Sequence, residues 1–257
     1  MKKVLFIVPS KAIGGTNSSL SSIINQLTAN CEISVLLMCS KGTGQYDFLN
    51  KSFTDYTLDI FYSNHSELRG IRKLSSFIIK MLKRISIFLH IPLETILYKY
   101  IANKYQKMNS YDIVVGFAEG KAMKLASAFN CAVKYTWIHC EYDRAVPKSK
   151  DEFSYYNKFD KIICVSKFTM GAFVMRYPLL QNKTIYIYNL LDIERIYTLS
   201  NANIDDDRFE KGKFIIISVG RMHPVKRFPN IPKIAKELLK RNMEFVWYII
   251  GGPCNEE

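Results

Sequence analysis

Two cations, Arg221 and Lys226, stand just past an apolar run in the stretch ISVGRMHPVKRF at residues 217–228. The run FIIISVG stops at Gly220. A buried parallel strand delivers its next residues to the sheet edge where ligands bind. The following helix points its N-terminal amides and positive dipole end at the same place. Gly220, Arg221 and Lys226 there would form a diphosphate site, with Arg gripping oxygens bidentately and Lys acting as a point charge. A solvated basic loop is the plainer alternative in a chain with 36 Lys and Arg.

Other polar residues follow apolar runs in the same way. Gly14 and Gly15, in KAIGGTNSS, would let backbone approach a ligand closely, with Thr16 or Asn17 capping the helix behind. The spacing is not G-x-G-x-x-G and argues against a nicotinamide site. His139 ends the run AVKYTWIH, Glu119 follows YDIVVGF, Ser166 follows KIICV, and Asn189 ends KTIYIYN. Glu119 could hold a sugar hydroxyl, take a proton, or cap a helix. His139, Cys140 and Glu141 are too close together to converge on one ion. Asp205–Asp207 reads as a solvated charge run.

These residues need a scaffold that sets strand ends side by side. Strands are expected at 3–8, 32–39, 111–117, 132–139, 161–166 and 183–189, with a weaker one at 56–62. Helices are expected through Leu20–Leu27, over 121–129 and over 167–176. Runs that are continuously apolar, alternating with helices, imply an α/β protein with a parallel sheet covered on both faces. Residues 200–213, polar and aperiodic, read as a linker. A second strand–helix–strand unit follows at 214–257, its helix marked by Ile231, Ile234, Ala235, Leu238 and Leu239. The domains are therefore 1–199 and 214–257, the second cut short.

Residues 69–107 join apolar residues at helical spacing to a basic set that includes Arg72, Lys73, Lys80, Lys83 and Arg84, with a break near Pro92. That pattern describes a helix lying on an anionic membrane, or a crossover pair packed on the sheet. The net charge of +13 favours anionic partners. No nucleic-acid motif accompanies it, so nucleic acid is not expected among them. The six cysteines form no C-x-x-C pair and suit a reducing cytosol. The first apolar run ends at Pro9, too early for a signal peptide, and no apolar stretch is long enough to span a bilayer.

In order and spacing, GGTNSSL, YDIVVGFAEG, KYTWIHCEYD, FDKIICVSKFT, IYNLLD and ISVGRMHPVKRF resemble glycosyltransferase family 4, over essentially the whole chain. The likeness is to bacterial enzymes that build capsular and other cell-surface polysaccharides. It implies the two-domain GT-B fold and a retaining, hexosyltransferase-type transfer from a nucleotide-sugar, UDP-linked, without cofactor or metal. The acceptor would be a glycan, lipid-linked, and the protein cytoplasmic and peripheral on the inner face of the plasma membrane. By motif match, Arg221 and Lys226 would stabilise the leaving diphosphate, Gly14 and Gly15 would face the donor, and His139 would lie near the transferred sugar. Glu119 would orient the acceptor, and Ser166 and Asn189 would shape the cleft.

Departures from the family pattern are Arg227 where glycine is frequent, Pro229 and Pro232 in a late-starting helix, and Leu190 where glycine or proline is common. The family's E-x(7)-E motif has no counterpart before Glu257, so weak turnover by this chain alone is expected. A GT-B nucleotide-sugar epimerase and an inactive truncated protein that binds membrane or a partner are the alternatives.

Overall fold

The computed structural model describes residues 1–63, 70–142, 152–203, 214–220, 222 and 224–252. The chain divides into two compact units, Met1–Ile193 and Glu194–Glu257. Of the linker expected at 200–213, residues 204–213 lie outside the described residues, as do Asp205–Asp207.

The first unit is a seven-stranded, wholly parallel sheet. Its strands are β1 (Lys2–Val8), β2 (Cys31–Leu37), β3 (Ser52–Thr54), β4 (Ile113–Gly116), β5 (Val133–Ile138), β6 (Lys161–Cys164) and β7 (Thr184–Tyr186), in the order β3-β2-β1-β4-β5-β6-β7. Parallel neighbours require crossovers. Helices α1 (Gly15–Leu27), α2 (Tyr56–Tyr62), α3 (Gly70–Phe88), α4 (Leu93–Met108), α5 (Lys121–Ser127), α6 (Phe153–Tyr156) and α7 (Lys167–Arg176) lie in the connections.

Both faces of the sheet are buried, which is why its strands read as unbroken apolar runs. Val4, Phe6 and Val8 of β1 join Leu20 and Ile24 of α1 in one core. Leu5 and Ile7, pointing the other way, pack with Tyr98 and Ile101 of α4 and with Ala122 and Leu125 of α5. Each such side chain contributes about 1.5–3 kcal/mol by leaving water.

The weak strand expected at 56–62 is instead α2, and β3 lies just before it. The reason is Asp55. Its carboxylate accepts hydrogen bonds from the amides of Thr57 and Leu58 and so caps a helix. Lys104 Nζ and Tyr105 Oη bind the other carboxylate oxygen at 2.7 and 2.9 Å.

The second unit contains β8 (Phe214–Val219) and β9 (Phe245–Ile250), paired in parallel, and α9 (Ile231–Lys240) between them. Helix α8 (Ile193–Ser200) straddles the division between the units. Among the described residues, no helix is long and apolar enough to cross a membrane.

Candidate functional site

Loops at the carboxyl end of the parallel sheet bring several of the singled-out residues together. After β1, Asn17 is buried and its amide donates to the carbonyls of Ser10 and Ala12 at 3.0 and 2.8 Å. The amide of Gly14 donates to Tyr46 Oη at 3.1 Å, and that hydroxyl donates to the Ala12 carbonyl. Gly14 and Gly15 need no glycine-only conformation, and a Cβ on either would meet nothing within 4 Å. Their smallness leaves open space in front of the first turn of α1. The hydroxyl of Ser19, in that helix, donates to Asn189 Oδ1 at 3.1 Å, tying the loop after β7 to α1.

Glu119 and His139 meet because β4 and β5 are neighbours in the sheet. Gly120, at φ +73°, makes the turn into α5 directly after Glu119. One Glu119 oxygen accepts the His139 amide at 3.1 Å, and the other accepts the Cys140 thiol at 2.7 Å. Burial and the adjoining carboxylate push the Cys140 thiol far above its usual range, so it is a protonated donor here, not a nucleophile.

The His139 ring packs on Phe117 at 4.8 Å between centroids. Both ring nitrogens are buried without a partner in hydrogen-bond geometry. Burial holds the imidazole below its ordinary 6.5, against weaker upward pulls from Glu119 and the Phe117 backbone. His139 is therefore neutral near pH 7. Buried polar groups are normally satisfied, which sets His139 apart at this sheet edge.

Ser166 has a local role. Its hydroxyl accepts the Thr169 amide at 3.1 Å and caps α7.

In the second unit, Arg221 lies outside the described residues. Lys226 ends a short 3-10 turn, Pro224–Lys226, and its side chain folds back toward Gly220 at the end of β8. Lys226 also helps line a cleft of about 490 Å³, with Ser218, Arg227, Asn230 and Trp247. Opposite Gly220, Gly251 has no room for a side chain: a Cβ there would collide with the Gly220 carbonyl. Sequence reasoning passed over Gly251, although the Gly-Gly pair after β9 was visible. Arg227 sits in the left-handed region at φ 55°, ψ 28°, which explains why glycine would suit this position. A second 3-10 turn at Phe228–Asn230 delays α9 to Ile231, as Pro229 and Pro232 led us to expect.

The basic residues of α3 divide. Lys73, Lys80 and Arg84 are exposed. Arg72 reaches Asp59 at 3.7 Å and lies over the Tyr56 ring. Lys83 turns inward, contrary to its expected place among outward membrane contacts, because the Phe61 carbonyl and ring offer it partners. Among the described residues, no cluster of three or more His, Cys, Asp or Glu side chains could hold a metal ion.

No protein-family model and no curated protein matches the chain. Solved structures do. An alpha-glucosyltransferase in complex with UDP and a 13-mer DNA containing a central A:G mismatch aligns over 96% of this chain and 55% of its own, at 11% identity and TM-score 0.54. The S. aureus MnaA–UDP structure aligns over 98% and 62%, at 13% identity and TM-score 0.54. Anabaena HepE in complex with UDP and glucose aligns over 98% and 69%, at 15% identity and TM-score 0.50. The chain thus spans about 55–69% of the length of these proteins. At such identities the likeness is one of fold, and the fold is GT-B-like: a Rossmann-like seven-stranded unit followed by the β-α-β opening of a second.

Proposed function

We propose that this chain supplies the acceptor side, and the opening of the donor side, of a retaining glycosyltransferase of the family 4 type. Sugar passes from a UDP-linked donor to a lipid-linked glycan, in bacterial cell-surface polysaccharide synthesis at the inner face of the plasma membrane. The observation that carries this reading is His139, a neutral imidazole at a sheet edge whose two buried nitrogens lack a partner in full hydrogen-bond geometry. A sugar hydroxyl, both donor and acceptor, matches that pair. The likeness to structures that hold UDP supports the choice of donor.

In this reading His139 holds a hydroxyl of the transferred sugar. Glu119 keeps the His139 backbone in place through the amide it accepts. Lys226 and Arg221 balance the charge that develops on the departing diphosphate, a role in which fixed cations are worth several kcal/mol. No metal is assigned a part.

The test is UDP-sugar binding by ligand-observed NMR, followed by mass-spectrometric detection of UDP release with and without a lipid-linked glycan acceptor. Binding that weakens at least about ten-fold in Lys226→Ala, with release that depends on acceptor, is the expected result. Isomerisation of the donor sugar without acceptor would replace this reading with epimerisation. UDP-sugar binding that is absent, or indifferent to both Lys226→Ala and His139→Ala, would end it.

A further inference from the structure

Helix α3 carries its polarity inside out. It contains five cations and no acid. The side chains it buries are Ser76 and Ser86. Leu74, Phe77, Ile78, Met81, Leu82 and Ile85 share one helical face and are all exposed. A helix that needed only the sheet for a partner would turn that face inward.

Beneath the C-terminal half of α3 is a cleft of about 280 Å³. Phe61, Ile87, Ile91 and Leu93 supply apolar wall, and Thr95 and Tyr98 bring hydroxyls. Two lysines reach it. Lys124 is committed to the buried Glu152 at 2.7 Å. Lys83 has no carboxylate partner among the described ion pairs. Its ammonium donates to the Phe61 carbonyl at 3.0 Å and lies 3.4 Å from the centre of the Phe61 ring. Glu94, the one carboxylate lining the cleft, is exposed. Burial lowers the Lys83 pKa, with Glu94 pulling the other way. A half-buried ammonium with N–H groups to spare is stabilised by an anion entering beside it.

The apolar wall decides which kind of anion. Ile87 and Ile91 are exposed beside the cleft, and Phe88 and Leu89, in the same corner, are exposed too. A small soluble anion gains nothing from that setting. A phosphate bearing acyl chains gains the burial of its chains.

We propose that the cleft beneath α3 binds the phosphate of a membrane lipid at Lys83, with the chains passing Ile87 and Ile91 toward the outward apolar face of the helix. That face then lies in the interfacial layer of an anionic bilayer, with Lys73, Lys80 and Arg84 at headgroup level. The inference is independent of glycosyl transfer, and a negative result here leaves the UDP-sugar assay to stand or fall by itself.

The test uses the full chain with its lysines reductively ¹³C-methylated, titrated with dihexanoyl phosphatidic acid as monomers and, in parallel, with inorganic phosphate. The Lys83 resonance should shift and saturate with the lipid, and inorganic phosphate should bind at least about ten-fold more weakly. Lys83→Met should lose about ten-fold or more in lipid affinity, and Lys80→Met, on the exposed side, less than about two-fold. Ile91→Asp should weaken the lipid and spare inorganic phosphate. Equal affinity for phosphate and lipid would mean a free-anion site and overturn the proposal. Equal losses in Lys80→Met and Lys83→Met would mean a diffuse basic surface and overturn it too. An unmoved Lys83 resonance in the wild-type chain would do the same without relying on any variant's folding.

Discussion

Replacing His139 by Phe should make the protein more stable and less useful. In the unliganded fold, both imidazole nitrogens are buried without partners. Each such group costs about 1–3 kcal/mol, and the approach of the Phe117 backbone offsets part of that, leaving about 2–3 kcal/mol for the pair together. Phenylalanine keeps a ring against Phe117, 4.8 Å away in the native protein, and removes both polar atoms. Its slightly larger ring returns about 1 kcal/mol as crowding. The net expectation is a gain of about 1–2 kcal/mol, or roughly 3–5 °C in Tm for a chain of this size. Trp137 lies two residues away in β5, and the only other tryptophan is Trp247. Urea denaturation followed by Trp137 fluorescence in a Trp247→Phe background therefore reads the first unit alone.

The pH dependence offers an independent check. The folded imidazole sits below its ordinary 6.5. As pH falls through that value, the unfolded chain takes up the proton first, so His139 subtracts stability by at most about 1.4 kcal/mol per pH unit. The loss begins near the unfolded value and stops once the folded ring also protonates. His139→Phe should abolish this component between about pH 7.5 and 5. Under the proposed function it should also lower any transfer by at least about 100-fold. A variant destabilised by more than about 1 kcal/mol, with the wild-type pH slope intact, would show that the nitrogens are already satisfied and would refute the argument.

Three further outcomes can be checked in parallel. Asp55→Asn should cost about 2–4 kcal/mol in urea unfolding, because it weakens the cap on α2 and strips the partner from Lys104. Burial raises the Asp55 carboxyl, but bonds from Lys104, Tyr105 and Leu58 outweigh it and hold it below 3.8, so its contribution is present at neutral pH and disappears as acid titrates through the lowered value. Arg227→Gly should stabilise the second unit by about 0.5–1 kcal/mol by relieving the left-handed φ of 55°; a loss of thermal stability would mean that the Arg227 side chain holds the turn together. Gly251→Ala should destabilise that unit by about 2 kcal/mol or more, since the methyl group meets the Gly220 backbone, and faster amide exchange in β8 and β9 would report it.

Much of the architecture was legible in the chain itself. Buried parallel strands announce themselves as continuous apolar runs, and they place Glu119, His139, Ser166 and Asn189 at strand ends whatever else is known. The segment YTLDIFY was not legible, because five apolar residues in seven, tyrosines included, suit a strand or a buried helix equally. Asp55, capping from just outside the segment, decided for the helix. The partnership of Glu119 with the His139 amide and the Cys140 thiol needed the β4–β5 pairing to join residues about 20 apart. The sequence showed that α3 has one apolar and one basic character. It could not show which side faces the rest of the fold, because amphipathicity marks a face and only packing chooses its direction. Likewise, the identity of His139 and its place after a strand are properties of the sequence. That its nitrogens are buried and its ring neutral is a property of the atoms around it, and those are assembled only by the fold.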